Sequence, residues 1–334
     1  MSTSVSVYVL RRVLSMLLML LLLSLIVFLL FNVLPGDPAR LTCGKACTPE
    51  IIEANRHRLG LDMPVIAQYW EFLKGLFVGR TYAANSPDPV QCSAPCLGYS
   101  FKRHAEVSQL IKDGLPCTMW LALGSFIIWM VVGIGLGVYT ALRRGRWQDK
   151  SVLGVALIGY SLPSFFIGIL AMFFIVIKWH LLPYPRYVPP TEDLSKFLQT
   201  MILPWIVLAI LYAAFYIRLT RSQMLETLNE DYIRTARSKG LPDRTVIRKH
   251  ALRAGLTPIV TSAGLDLAGL LGGAVFIEAI FSLPGIGSLA LGSVTDSDLP
   301  VIVGVTLVAA VFVIVANLVV DVLYAVIDPR VRPS

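Results

Sequence analysis

Long apolar runs separated by short polar stretches organise the chain. The first, Val13–Leu34, holds 22 residues without a charge and follows Arg11 and Arg12. Cys117–Leu142 and Val152–Ile177 are uncharged over 26 residues each, and Gln199–Ile217 over 19. Leu256–Ile280 carries Asp266 and Glu278, and Leu299–Ile327 carries Asn317 and Asp321. At about 1.5 Å rise per residue, each run can cross a hydrocarbon layer of roughly 30 Å as a helix. The runs lack the alternation of barrel strands, and a helix satisfies its own backbone without closure. The pattern predicts an all-α integral membrane protein with six main transmembrane helices, the third kinked at Pro163. The first run is longer than the apolar core of a secretory leader, and no small-residue cleavage site follows it. It is expected to stay as a span.

The polar stretches orient these helices. Lys and Arg gather in the N-terminus, in Arg143–Ser151, in Arg218–Gly255 and in the tail, which places both termini in the cytoplasm. Three parts follow: residues 1–34 as N-terminus and first helix, 35–116 as a folded extracytoplasmic loop, and 117–334 as the membrane core. Within the loop, Thr48-Pro49-Glu50 is a helix start with an N-cap, a first-turn proline and an acid. Pro64–Leu76 spaces Ile66, Tyr69, Trp70 and Leu73 helically and suits the outer membrane surface. Cys43, Cys47, Cys92 and Cys96 also lie here; two disulfides are expected, in any of three pairings. Cys117 is expected to be a buried thiol.

Composition narrows the function. Apolar residues make up 56% and charged residues 15% of the chain, with a mean hydropathy of +0.71, more than one soluble core can hold. The net charge of +8 lies beside apolar runs, as membrane flanks do, so lipid and not nucleic acid is the expected partner. His57, His104, His180 and His250 have no metal-ligand spacing, and no nucleophile–base pair or G-x-x-x-x-G-K-[ST] phosphate loop occurs. Neither enzyme activity nor a bound cofactor or metal is expected.

Two places carry candidate chemistry. In Arg218–Gly255, Asn229 is expected to cap a helix through Glu230–Lys239, and Gly240 suits the left-handed position after it. Asp243 should then cap a second helix, Arg244–Arg253, ending at Gly255. Tyr232, Ile233 and Ala236 would share one face of the first helix, and Val246, Ile247, His250, Ala251 and Ala254 one face of the second. These small residues suit a protein groove better than insertion into lipid. The second place is Asp266, where an ionised carboxylate costs roughly 2.5–3.5 kcal/mol on insertion scales. Ser262, Asp266, Gly269 and Gly273 share one face. Asp266 is expected either to line a solute pathway or to be paired at a subunit interface. Glu278, nearer the outer side, is expected to gate or to anchor. Asn317, Asp321 and Tyr324 are expected to make helix-packing contacts.

The run D-Y-I-R-T-A-R-S-K-G-L-P, followed by H-A-L-R-A-G-L-T-P-I-V-T, resembles the coupling loop of bacterial ABC-importer permeases. The branch is that of dipeptide, oligopeptide and nickel transport, and the likeness is to the first of its two permeases. L-P-G-D-P-A, A-L-R-R-G-R-W-x-D, S-L-P-S-F, G-G-A-V-F-I-E-A-I-F, P-G-I-G and D-P-R-V-R extend it over nearly the whole chain. The resemblance implies a type I ABC-importer fold and a transmembrane subunit of an ATP-driven importer for peptides or similar solutes. It also implies partners: a second homologous permease, two ATPase subunits that hold ATP and Mg²⁺, and an extracytoplasmic solute-binding protein. Coupling to the ATPase would fall on Asp231, Tyr232, Arg234, Thr235, Ala236, Ser238, Gly240 and His250. The wider family's E-A-A is Arg234-Thr235-Ala236 here, and its isoleucine is His250, so contacts of the family glutamate do not carry over. A self-sufficient ion-coupled transporter is the rival; it calls for ionisable groups on broken-helix repeats, which Asp266 alone partly meets.

Overall fold

A computed structural model describes residues 2–33, 38–41, 48–82, 89–271 and 274–327. The chain forms two compact units, Met1–Thr118 with Pro284–Val322 and Met119–Leu283 with Leu323–Ser334.

The first unit begins with α1 (Ser2–Val33), then a single helical turn at Pro38–Leu41. Next come α2 (Pro49–Leu59) and α3 (Val65–Val78). Thr48 caps α2 by accepting from the Ile51 N–H, Pro49 stands in its first turn, and Gly60 (φ +69°) ends it. On α3, Tyr69 and Phe72 pack on Phe28 of α1 at 5.3 and 6.0 Å between rings, and the Tyr69 and Ser24 hydroxyls are 2.9 Å apart. Ile66 and Trp70 lie outside this contact and are exposed. Two short antiparallel pairs follow: β1 (Arg80–Tyr82) with β2 (Val90–Cys92), and β3 (Tyr99–Ser100) with β4 (Ala105–Glu106). Cys92 and Cys96 are joined as a disulfide; Cys43 and Cys47 lie outside the described residues. Ser100 donates to the buried Asp298, and Arg103 reaches Asp296 at 3.3 Å. These bonds tie the loop to the turn between α11 (Ile286–Thr295) and α12 (Leu299–Ile327), numbered in chain order with the helices below. Val107, Ile111, Ile286, Val301 and Val305 form the core beneath.

The second unit holds most of α4 (Val107–Leu142), then α5 (Trp147–Ser161) and α6 (Ser164–Ala171), which continues as a π-helical stretch Met172–Lys178. After these come α7 (Leu194–Leu228), α8 (Asp231–Ser238), α9 (Leu252–Leu271) and α10 (Val275–Ile280). Three glycines set the approach of α4 to α7. A Cβ on Gly133 would lie 2.5 Å from Tyr216 Cβ, one on Gly137 2.9 Å from the Ile217 carbonyl, and one on Gly124 inside the Trp205 ring. This small-residue seam, with Gly133-x3-Gly137 at its centre, is the usual means of close helix packing in apolar surroundings.

Among the described residues, four helices are long and apolar enough to span a membrane, or five if α5 and α6 with its π extension count as one bent span. Two expected spans differ from their sequence reading. The third is not kinked but broken, its halves at 96°. Leu162 before Pro163 is extended (φ −92°, ψ 133°), the conformation that a following proline imposes. The expected span 256–280 falls on two helices, α9 and α10, with Ala274 before α10 outside helical conformation (φ −75°, ψ 52°). α10 packs on α6, where Gly168 admits Ile277 and Ile280.

Gly137→Ala is expected to destabilise the chain by roughly 1–3 kcal/mol through overpacking against backbone. Gly135, on the same helix, has no atom within 4 Å of a built Cβ. Gly135→Ala should therefore leave the melting temperature of the detergent-solubilised protein unchanged or raise it, while Gly137→Ala lowers it.

Candidate functional sites: a helical arm and a carboxylate on an apolar helix

The first site is an arm that begins where α7 ends. α7 runs past the expected apolar limit to Leu228, and Asn229 closes it, donating from Nδ2 to the Leu225 carbonyl at 2.9 Å. Asn229 therefore ends one helix and does not start the next; Glu230 is the N-cap of α8. At the other end Gly240 (φ +77°) is left-handed. Its N–H donates to the Arg237 carbonyl at 2.9 Å, and Leu241 N–H donates to Ala236 at 3.4 Å, the paired bonds of a Schellman turn. Arg237 also reaches Asp243 at 3.4 Å across the turn. The return limb is a helical turn at Asp243–Thr245 and a π-helical stretch Val246–Ala251, which runs directly into α9. It does not stop at Gly255. That glycine is buried against Met224 Sδ, 3.4 Å from a built Cβ, and serves packing rather than termination.

One side of the arm faces the chain itself. Ile233, Ala236, Val246 and Ala251 are buried together with Met224 and Ala141. Ala236, expected on a face offered to a partner, is thus part of the chain's own core. Tyr232 stands about 100° round from Ile233 and is 46% exposed. Burial first, and the Glu230 carboxylate second, raise its phenol above the ordinary value, so it stays a neutral hydroxyl. Asp231, Arg234, Thr235, Ser238 and Gly240 face solvent. A groove of about 680 Å³ beside α8 is lined by Tyr232, Lys249, His250, Arg253 and Thr257.

The second site is on α9. The Tyr216 hydroxyl donates to Asp266 Oδ2 at 2.6 Å. Tyr216 is fully buried and is held by Trp129, on which Tyr212 also stacks at 4.4 Å between centroids. Ser262 is half-buried, Gly269 has open space beside it, and Gly273 lies outside the described residues. Glu278 is fully buried on α10. The side chains of Asp321 and Tyr324 are likewise outside the described set.

Two features escaped the sequence reading: the glycine seam, legible as Gly133-x3-Gly137, and a pair of the buried Asp149 with the partly exposed Arg221 at 2.7 Å. Asp149 ends the run A-L-R-R-G-R-W-x-D, the one signal that marked it.

Apolar helices of spanning length with a polar helical arm carried on them describe a component built for a membrane. Comparison with known proteins gives the family. The chain belongs to the "Binding-protein-dependent transport system inner membrane component" family, which matches residues 133–333, and its N-terminal counterpart matches residues 5–122. It is an inner-membrane permease, a transport component in the peptide/nickel branch of ABC importers. A protein named as a peptide transport system permease in Brucella abortus (strain 2308) is 39% identical over 97% of this chain and 98% of its own length. The glutathione transport system permease protein GsiC of Escherichia coli O6:H1 is 36% identical over the same shares. A chain of the inward-facing MetNI methionine ABC transporter shares the fold, with a TM-score of 0.50 and 18% identity over 66% of this chain and 97% of that one.

Ala236→Trp is expected to lower the melting temperature of the purified chain with no partner present, by overpacking worth about 1–3 kcal/mol. Ser238→Trp, on the exposed side, should leave it unchanged.

Proposed function

We propose that this chain is one of two homologous permeases through which an importer passes peptides or similar small solutes, glutathione-sized ones included. On this reading it crosses the inner membrane six times with both termini in the cytoplasm. Residues 35–116 form an extracytoplasmic lobe that meets a solute-binding protein. Two ATPase subunits hold ATP and Mg²⁺, and α8 with Gly240 seats in a cleft of one of them. The carrying observation is the arm: α8 turns Asp231, Tyr232, Arg234, Thr235 and Ser238 outward while Ile233 and Ala236 fasten it to the core. A helix presented on so firm a footing can relay a rigid-body movement. His250, in the groove beside Tyr232, borders the same contact. Relatives named for peptide and glutathione transport support the cargo class. Asp266 is the pathway candidate, with Ser262 and Gly269 on its face; a carboxylate steadied by Tyr216 suits the ammonium end of a peptide. Glu278 is proposed as an anchor rather than a gate, because it is fully buried.

The test uses the assembled complex in proteoliposomes. A β-branched residue at Gly240 costs about 1–2 kcal/mol in the left-handed conformation, whereas asparagine tolerates it. Gly240→Val should lower transport and binding-protein-stimulated ATP hydrolysis by at least about tenfold, within the usual range of coupling energies, and Gly240→Asn should retain both. A Ser238→Cys variant should cross-link to the ATPase subunit. Full transport by Gly240→Val, with no cross-link from position 238, would sink the reading.

A further inference from the structure

The turn between α4 and α5 closes on a carboxylate. Gly145 (φ +79°) bends the chain back, and its N–H donates to Asp149 Oδ2 at 2.9 Å. Arg221 of α7 meets the same group with two parallel bonds, Nε to Oδ1 at 2.7 Å and Nη2 to Oδ2 at 2.8 Å. Asp149 is 3% exposed. Arg221 keeps partial exposure, but a carboxylate out of water is costly unless its lone pairs are met, and here both oxygens are engaged.

The position of the pair gives it a task. Arg221 lies between the apolar part of α7 and α8, so it sits at the foot of the arm. Further along, the Arg218 guanidinium rests 5.1 Å over the Tyr160 ring, and Ala156 packs with Ala214 and Ile217. α5 is thus already joined to α7 by apolar contact. What a two-pronged pair on a buried carboxylate adds to such a seam is registry: the guanidinium fork fixes direction as well as distance, which an ammonium does not. We propose that Asp149 and Arg221 are positioning residues that lock α5 in register with the foot of the arm. Displacement of α8 is thereby carried into the break at Leu162-Pro163. This rests on the coupling role assigned to the arm above.

The discriminating variant is Arg221→Lys in the full complex of both permeases, ATPase subunits and binding protein. Lysine keeps the charge opposite Asp149, so assembly is preserved, but it loses the fork. The expected result is wild-type yield of complex and wild-type unstimulated ATP hydrolysis. Transport and stimulation by loaded binding protein should fall by about 5–150-fold, the range of typical coupling energies. Asp149→Glu, which keeps the charge and shifts the carboxylate, should behave alike. Wild-type transport in both variants overturns the proposal. So does a loss of transport that only tracks a loss of assembled complex, the mark of a purely structural pair. Gly240→Val, run alongside, separates the two readings. Its failure beside normal Arg221→Lys overturns the positioning role alone, while normal transport in both overturns the arm's coupling role and this one with it.

Discussion

The distance at which α7 stands from α4 is set by the absence of three side chains. Inside a bilayer no hydrophobic force draws helices together, because lipid tails are as apolar as the helices, so association depends on close packing. Gly124, Gly133 and Gly137 leave room for Trp205, Tyr216 and the backbone at Ile217. Tyr216 is thereby fixed, fully buried, with its hydroxyl on Asp266. Thr220, which a Cβ on Gly137 would also strike, is followed directly by Arg221. One close approach therefore places the carboxylate's partner, the ion pair and the root of the arm.

From that root the chain leaves and returns without slack. Asn229 closes α7, two residues lead into α8, and the Schellman turn at Gly240 sends the chain back. The return limb passes into α9 with no intervening loop. The arm is thus bracketed by the two helices that meet at Tyr216 and Asp266. A displacement of α8 and a change at Asp266 therefore fall on the same pair of elements, joined by continuity of helix rather than by a chain of polar contacts.

Much of this was legible in the sequence. Apolar runs announced most of the long helices, Thr48-Pro49 announced α2, and glycine before a proline announced the turn at 240. The misses share a cause. Asparagine closes helices as readily as it opens them when two helices abut, and only the bond to Leu225 decides for Asn229. Gly255 reads as a terminator until Met224 is seen against it. The stripe through Ala236 promised burial but could not name the partner, which is this chain's own Met224, Val246 and Ala251. Pro163 guaranteed a disturbance; its size depends on the extended Leu162 and on α10 packing over α6. Asp149 and Arg221 lie 72 positions apart, beyond any local periodicity.

The glycine seam also bears on how this sequence can drift. A face already occupied within the chain is closed to newcomers, so the approach of α4 to α7 tolerates no added methyl at Gly137 without moving backbone. Along α1, by contrast, Leu14, Leu18, Met19, Leu22 and Ile26 lie exposed, so packing within the chain asks of them only that they be apolar. Two apolar helices of the same protein thus make two different demands on sequence, greasiness along α1 and emptiness along α4.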